Sequence, residues 1–328
     1  REARIVDGTG APWFVSDVLL RDGRIAEIGK SIKADGIRTV DAQGLYLAPG
    51  FIDAHCHDDL ICLREPERTE KIAQGVTTLV VGNCSFSLYP TAAGSAGNLR
   101  KHFSTLLGDV ADDEVFEDFA GYRAAIYARG LALNLVSLVG HAALRLAVIG
   151  HERRAATDAE CAQMQALLAR QLRAGAAGLS LGLVYPPSAY ADRGELLALS
   201  RTVQENGKLL AAHIRGYEGD LLDSMDEFID LLRASGVPGL LSHLQSAGRP
   251  NWGQMPDELN KLEQARQQGV DVSFDMYPYP AGSSYILQLL PTDALEGGYD
   301  GLVARLAQAD FRERLRLYLE GKSPAKGG

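Results

Sequence analysis

The sequence predicts an α/β fold, a TIM-type (β/α)8 barrel preceded by a small β domain. Amphipathic stretches, several of which end at a glycine, alternate with seven short apolar segments at about 51–55, 77–83, 133–140, 178–184, 209–214, 239–244 and 271–276. Repeated units of helix, glycine and strand are typical of a parallel sheet that is covered by helices. Residues 1–48 instead contain short strand-like runs and turns, without a helical pattern.

The change of pattern near residue 48 predicts two domains. Residues 1–48 form the small β domain, and residues 49–328 form the barrel. In the first domain, two apolar runs around an Asp-Gly turn predict a hairpin over 18–28, because Asp-Gly favours the tight turn of a hairpin. Further strands are predicted at 39–40 and 45–47.

One strand of the barrel is missing from the sequence. A (β/α)8 barrel has eight strands, and seven can be counted. The segment at about 302–320 has the spacing of one helix, and 321–328 reads as a loop. We therefore expect the barrel to be truncated in a loop, with the eighth strand, and the residues that complete the β domain, after Gly328.

The helices of the barrel have readable ends. Thr157 and Glu160 fit a capping box, in which each side chain bonds to the backbone of the other residue, and so predict where a helix begins. Glycines are favoured just after a helix because they adopt the left-handed conformation easily. Four helices are predicted to end at such residues, namely Gly175, Gly207, Gly236 and Gly269.

Composition indicates an enzyme that acts on a small molecule. The 328 residues are 46% hydrophobic, which allows a large core, and carry a formal net charge of −9. An acidic chain without basic clusters argues against nucleic acid or an anionic membrane as a partner. No apolar run reaches the roughly 18 residues that a membrane span needs. Four cysteines do not suggest a disulfide framework, and we expect reduced thiols in a cytoplasmic protein.

A His-x-His motif follows the first predicted barrel strand. Residues i and i+2 of a strand share a face, so His55 and His57 should point the same way at the carboxyl end of that strand. Imidazoles are good zinc ligands, and barrel active sites lie at this rim. The alternative, two hydrogen-bonded surface histidines, fits less well because carboxylates flank the motif. We interpret the pair as metal ligands.

Three more ligand-type residues end predicted strands. Cys84, His213 and His243 close the second, fifth and sixth strands. A free cysteine is usually a small buried apolar residue, and a single histidine at a strand end could be either ligand or structure. However, four of the seven histidines and this cysteine all fall at strand ends, which parallel strands bring to one place. The pattern predicts one metal centre.

The other chemical candidates are weaker. His102 and His151 lie in helical or loop stretches and are expected at the surface, whereas His141 ends the third strand and could line the pocket. Residues 178–182 match the G-x-S-x-G nucleophile pattern around Ser180. That motif needs a helix after the serine, and here Pro186 and the residue after it forbid one.

With these residues in place, the chain resembles the D-aminoacylase (N-acyl-D-amino-acid deacylase) family of the amidohydrolase superfamily. The His-x-His start is shared across the superfamily, whereas the Gly-Asn-Cys stretch is more specific to these deacylases. The resemblance covers nearly the whole chain, in the family's order, through 48–59 (APGFIDAHCHDD), 75–84 (GVTTLVVGNC), 139–141 (VGH), 178–187 (GLSLGLVYPP), 213–215 (HIR), 242–243 (SH) and 275–279 (DMYPY).

The resemblance implies how the ligands are divided. Cys84, His213 and His243 would hold one tightly bound zinc ion, and His55 and His57 a second, weaker position. The fourth strand lacks the lysine that bridges two metals in many relatives, and the Cys84 thiolate would replace it. Tyr185, Tyr277 and Ser283 or Ser284 resemble family residues that line the substrate site, and Gln245 is a further candidate for a substrate contact.

Two positions depart from the family pattern. Gln245 stands where the family often has a lysine that can contact the substrate carboxylate. The family's general acid/base is an aspartate at the end of strand eight, which would lie beyond Gly328, so no catalytic residue is assigned in this chain.

The predicted function is zinc-dependent hydrolysis of N-acyl-D-amino acids to a carboxylate and a free D-amino acid. The zinc would activate water, and the aspartate would move its proton. The alternatives are a cyclic amidase of the dihydroorotase or hydantoinase kind, a non-catalytic zinc-binding barrel and a serine hydrolase that uses Ser180. The missing lysine of strand four argues against the cyclic amidase.

Overall fold

The computed structural model describes residues 1–33, 35–284 and 286–320. The first four strands form a separate sheet in the order β3-β2-β1-β4, with bounds β1 Ala3–Ile5, β2 Phe14–Arg21, β3 Arg24–Gly29 and β4 Tyr46–Leu47. Asp22 and Gly23 have φ values of 52° and 70°, as a two-residue hairpin turn requires. The hairpin is therefore confirmed. The strand predicted at 39–40 was wrong, since neither residue joins the sheet.

A seven-stranded parallel sheet follows, with its strands in chain order. Its strands are β5 Phe51–Asp53, β6 Val76–Val81, β7 Asn134–Gly140, β8 Gly178–Gly182, β9 Leu209–His213, β10 Gly239–Leu241 and β11 Val272–Phe274. All seven strands were predicted, and the α/β fold of the TIM-barrel type is confirmed. Because every neighbouring pair is parallel, all the carboxyl ends lie at one rim.

Helices cover the outside of this sheet and connect its strands. Their bounds are α1 Ile61–Arg64, α2 Thr69–Ile72, α3 Ala96–Leu107, α4 Phe119–Arg129, α5 His141–Val148, α6 Asp158–Ala174, α7 Arg193–Glu205, α8 Leu221–Ser235, α9 Met255–Gln267, α10 Gly298–Leu306 and α11 Ala309–Leu319. Short 3₁₀ turns lie between several of them. No helix of the described residues is long and apolar enough to cross a membrane.

The structure confirms that four helices end just before the glycines that predicted their ends. Thr157 and Glu160 form the capping box of α6, and Gly175 ends that helix in the left-handed conformation. Gly236 does the same for α8, and Gly207 and Gly269 also have positive φ just after α7 and α9. A glycine adopts this conformation without the steric cost of a Cβ atom, so each helix stops where the next strand must begin.

The last part of the described chain differs from the prediction of one helix over 302–320. Two helices, α10 and α11, are separated by an extended residue, Gln308. The apolar residues on either side, Leu306 and Phe311, are five positions apart, one more than helical spacing along a single face allows. These helices share a small core of their own, away from the barrel core. The predicted loop at 321–328 lies outside the described residues.

The main hydrophobic core joins the sheet to the helices that cover it. Strand residues such as Leu79, Val81, Leu181 and Leu210 are fully buried. They pack in one cluster with helix residues that include Met164 of α6 and Phe228 of α8. This packing makes the rim a rigid support for the side chains that follow the strands.

A charged network is buried between α5 and α7. The carboxylate of Glu195 accepts hydrogen bonds from Arg145, and one of its oxygens lies 2.7 Å from Nε2 of His141. All three side chains are almost completely buried. Burial alone would raise the pKa of Glu195, but His141 and Arg145 lower it to about 2. His141 therefore joins a buried ion pair next to β7.

Removing Glu195 should destabilise the fold strongly. The substitution Glu195→Ala leaves the guanidinium of Arg145 buried without its carboxylate, and breaking a buried pair in this way costs about 3–5 kcal/mol. We expect urea unfolding to show this loss in the free energy of unfolding. As a control, Asp230→Ala removes an exposed pair with Arg233 and should change stability little. Equal midpoints for the two variants would contradict the role given to the network.

Candidate metal centre

Five side chains gather at the carboxyl rim, each placed by the end of a different strand. His55 lies two residues after β5 and His243 two residues after β10, while His213 is the last residue of β9. Cys84 lies three residues after β6, and Asp275 directly follows β11. The sheet brings these positions together because its strands are parallel and curl into a barrel wall.

Three of these residues could hold a metal ion together. The ligand atoms of His55, Cys84 and His243 all lie within 4.8 Å of one another. Sγ of Cys84 is 3.2 Å from Nε2 of His55 and 3.5 Å from Nε2 of His243. One thiol and two imidazoles at this separation are a donor set that suits zinc and other borderline-soft cations.

His213 and His57 lie beside this trio. The ring of His213 is 4.5 Å from that of His243, and the ring of His57 is 5.5 Å from that of His55, both between centroids. Nδ1 of His213 lies 3.4 Å from the Tyr185 hydroxyl. Buried Nε2 of His213 and Nδ1 of both His57 and His243 find no hydrogen-bond partner among the described residues. Such groups are costly without a ligand, so these nitrogens remain available to a cation.

The electrostatics of the site favour a thiolate. Burial alone would raise the pKa of Cys84, but the positive charge of His55 and the nearby imidazoles of His213 and His243 hold it well below its usual range. Burial would lower the pKa of His55, yet the Cys84 thiolate and Asp275 raise it to about 10. Burial lowers the pKa of His213 to about 4, so its imidazole is neutral near pH 7. Thiolate and neutral imidazole are the forms that bind metals, so Cys84 and His213 already favour their metal-binding forms, whereas His55 must release its proton to bind a cation.

Asp275 is a site residue that the sequence analysis did not single out. Its Oδ2 lies 3.1 Å from Nδ1 of His55, and its Oδ1 accepts a hydrogen bond from the backbone N–H of His243 at 2.6 Å. A carboxylate on the outer nitrogen of a histidine fixes the tautomer and directs the other nitrogen inward. The signal was its position directly after the seventh strand, where the other site residues also occur.

Tyr217 was also missed. Its hydroxyl accepts a hydrogen bond from the backbone N–H of Ile214 at 3.1 Å and donates one to the backbone carbonyl of Ser242 at 3.0 Å. It thereby ties the loop after β9 to the loop after β10. Its ring packs 4.9 Å from that of His213 and 5.0 Å from that of His243. Nothing in the local sequence marks this tyrosine, because its role depends on Ser242, which is 25 residues away in the chain.

The residues predicted to line the substrate are divided between two sides of the centre. Gln245 and Tyr277 are hydrogen-bonded to each other in a cavity of about 290 Å³ that begins at His243. Its other walls are mainly apolar or aromatic and include Trp252, Met255, Met276 and Tyr279. Tyr185 lies across the centre, against His213. Ser283 and Ser284 are exposed and do not belong to the lining of this cavity.

His102 and His151 are not the surface residues that the sequence suggested. His102 is buried, and its ring stacks on Phe86 at a centroid distance of 4.9 Å. Burial lowers its pKa to about 3. His151 is half-buried, and both residues line a cavity of about 100 Å³ between α3 and α10. The prediction failed because the segment that covers them, at 286–300, is distant in sequence.

Ser180 does not have the surroundings of a nucleophile. It is fully buried in β8, and its hydroxyl is already bonded to the backbone carbonyl of Gly82 and to the backbone N–H of Ser85. The residues after it form a turn and a 3₁₀ segment over 188–190 rather than a helix. The serine-hydrolase alternative is therefore not supported.

Comparisons with known proteins agree with this geometry. The N-acyl-D-glutamate deacylase of Alcaligenes xylosoxydans xylosoxydans is 40% identical over 284 residues, 86% of this chain and 57% of the relative. The structure of N-acyl-D-glutamate deacylase from Bordetella bronchiseptica, complexed with zinc and a phosphonate inhibitor, aligns with a TM-score of 0.77 and 39% identity over 85% of this chain and 58% of that one.

A structure of D-aminoacylase described for its binuclear metal centre aligns equally well, with a TM-score of 0.77 and 38% identity over 85% of this chain and 57% of that one. The chain thus spans somewhat more than half the length of the relatives it matches. A sequence model of the amidohydrolase family matches residues 38–206, which include the His-x-His motif and Cys84. Because this model matches about half of the chain and the relatives are about 40% identical over most of it, the chain belongs to the amidohydrolase family.

Proposed function

We propose that this chain carries the metal centre of a zinc-dependent amidohydrolase that cleaves the amide bond of N-acyl-D-amino acids. The products are a carboxylate and a free D-amino acid. The observation that carries the proposal is the meeting of the Cys84 thiolate with the imidazoles of His55 and His243 within 4.8 Å. The similarity to deacylases of N-acyl-D-amino acids supports this substrate class.

The residues present fit zinc. Zinc accepts mixed sulfur and nitrogen ligands, and this site offers one thiolate and several imidazole nitrogens that have no other partner. We assign Cys84, His213 and His243 to the tight zinc site, and His55 and His57 to a second, weaker site. The short contact between Cys84 and His55 supports a position for the thiolate between the two sets.

When bound, zinc lowers the pKa of a water molecule and polarises the amide carbonyl. The side chains of this chain hold that chemistry in place. Asp275 orients His55 through Nδ1 and fixes the loop of His243 through its backbone N–H. Tyr185 lies against His213 on one side of the centre, and the bonded pair of Gln245 and Tyr277 lies on the other. These polar side chains, next to His213 and His243, would contact the substrate.

Substrate contacts are assigned to Tyr185, Gln245 and Tyr277, with Ser283 or Ser284 at the outer edge. The proton-transferring group is not assigned within these 328 residues, because the family resemblance places it on an eighth strand.

We also propose that residues 1–48 form a β domain distinct from the barrel at 49–328. A cytoplasmic location remains a prediction, supported by four cysteines that are all free.

Zinc retention should depend on Cys84. The substitution Cys84→Ala removes the only sulfur ligand, and purified protein should lose most of its zinc by elemental analysis. The control is Cys62→Ala, since Cys62 is equally buried but burial raises the pKa of its thiol to about 12. That variant should keep the zinc of the parent protein. A zinc content that is equal in both variants would refute the ligand assignment.

Loss of the Asp275 charge should weaken the second metal site selectively. In Asp275→Asn, His55 loses the carboxylate at Nδ1, and a change in such a partner typically costs about 10–100-fold in metal affinity. We expect the second equivalent of zinc to bind more weakly in calorimetric titration while the first changes little. Asp271→Asn, at the other end of the same strand and exposed, is the control. If the first equivalent of zinc binds more weakly instead, His55 would be assigned to the tight site.

Hydrolysis should be selective for the D configuration and sensitive to chelators. The measurement uses the full-length protein and a matched panel of N-acetyl-D- and N-acetyl-L-amino acids, with amine release as the readout. We expect turnover of D substrates, loss of activity with a chelator and recovery when zinc is added back. Bound zinc without turnover of any member would leave the metal centre standing but would overturn the substrate class.

A further inference from the structure

We infer that Ser180 is a positioning residue for the Cys84 ligand. Its hydroxyl joins the two ends of the turn at 82–85 and so holds Cys84 in the conformation that directs its thiolate at the imidazoles. The inference rests on the proposed function, because it concerns the ligand of the proposed zinc site. Ser180 touches no reacting group, so it would act on catalysis only through Cys84.

The turn that carries Cys84 is conformationally unusual. Gly82, Cys84 and Ser85 have φ values of 80°, 52° and 76°. Residues other than glycine rarely adopt this left-handed backbone conformation. Two of them in succession, here Cys84 and Ser85, keep it only where contacts with the rest of the protein hold them. The structure must therefore contain contacts that fix the turn from outside.

The first of these contacts is made by Ser180. Its hydroxyl donates to the backbone carbonyl of Gly82 and accepts from the backbone N–H of Ser85 at 3.0 Å. These two groups flank Asn83 and Cys84, so a single side chain closes the turn around the ligand. Ser180 is fully buried, and water cannot replace these bonds easily.

Close backbone contacts with β7 and β8 also hold the turn. A Cβ atom on Gly182 would lie 2.2 Å from the carbonyl oxygen of Cys84, and one on Gly140 would lie 2.2 Å from that of Ser85. The backbone of the turn thus rests directly on β7 and β8. The Ser85 hydroxyl accepts a hydrogen bond from the N–H of Ala142 at 2.5 Å and bonds to the Ser188 hydroxyl at 2.6 Å.

This arrangement explains the Gly-x-Ser-x-Gly pattern of β8. Residues 178, 180 and 182 lie on one face of the strand because side chains alternate. Gly178 and Gly182 are small because backbone carbonyls of Leu209 and Cys84 approach them closely, and the serine between them supplies the hydrogen bonds to the turn. The pattern therefore supports the turn that carries the proposed metal ligand Cys84, and does not provide a nucleophile.

The test compares Ser180→Ala with the parent protein after cobalt(II) replaces zinc. A cobalt–thiolate bond produces a charge-transfer absorption in the near ultraviolet, which reports the position of the Cys84 sulfur without any turnover. We expect Ser180→Ala to lose or shift this band and to bind zinc about 10–100-fold more weakly. Ser180→Thr keeps the hydroxyl and should retain the band.

The matched control is Ser200→Ala. Ser200 is also fully buried and donates to the Leu196 carbonyl within α7, so it reports the general effect of deleting a buried hydroxyl. Unchanged cobalt spectra and zinc affinity in Ser180→Ala would overturn the inference. Loss of the band in both Ser180 variants, with Ser200→Ala intact, would assign the effect to strand packing and overturn it as well.

A measurement on the parent protein needs no variant. The Ser85 amide should exchange its hydrogen as slowly as the amides of β8, because its partner hydroxyl is buried. Exchange as fast as in exposed loops would show that the bond does not hold the turn.

If the parent protein itself gives no cobalt–thiolate band, the proposed metal centre fails. If it gives the band but Ser180→Ala does too, only the role of Ser180 fails.

Discussion

The left-handed turn after β6 is the constraint on which the proposed metal centre depends. Cys84 reaches the imidazoles only because its backbone takes a conformation that an ordinary residue avoids. That conformation is held by hydrogen bonds from Ser180 of β8 and by glycines that let the turn lie directly on the sheet. The barrel wall and the ligand turn are thus one packed unit, and the core that stabilises the wall also stabilises the site.

The charges around Cys84 stabilise its thiolate. A buried thiolate would be unfavourable alone, but here it lies among histidines, one of which carries positive charge stabilised by Asp275. The histidine nitrogens left without partners add a cost that a bound cation would remove. The backbone and the surrounding charges therefore both favour a cation at this position.

Much of the fold was predictable because its signals are local. Apolar strands, the capping box at Thr157 and the glycines after four helices all act within a few residues, and the structure bears them out. The break at Gln308 was missed because the apolar spacing was read as continuous. Asp275, Tyr217 and the burial of His102 were not predicted because each depends on a residue that is distant in the chain. Asp275 contacts His55, 220 residues away, and Tyr217 bonds to Ser242, 25 residues away. His102 stacks on Phe86, 16 residues away. Such contacts leave no periodic pattern in the sequence.

The sequence by itself determined the types of element, their order and the residues that end each strand, because hydrophobic periodicity and helix caps are properties of neighbouring residues. The tertiary structure alone decided which of these strand-end side chains meet. Closing seven parallel strands into a curved sheet sets His55, Cys84 and His243 within reach of one another and places Ser180 beneath the turn. The physical reason is that distances between side chains of different strands depend on register and curvature, which no single segment encodes.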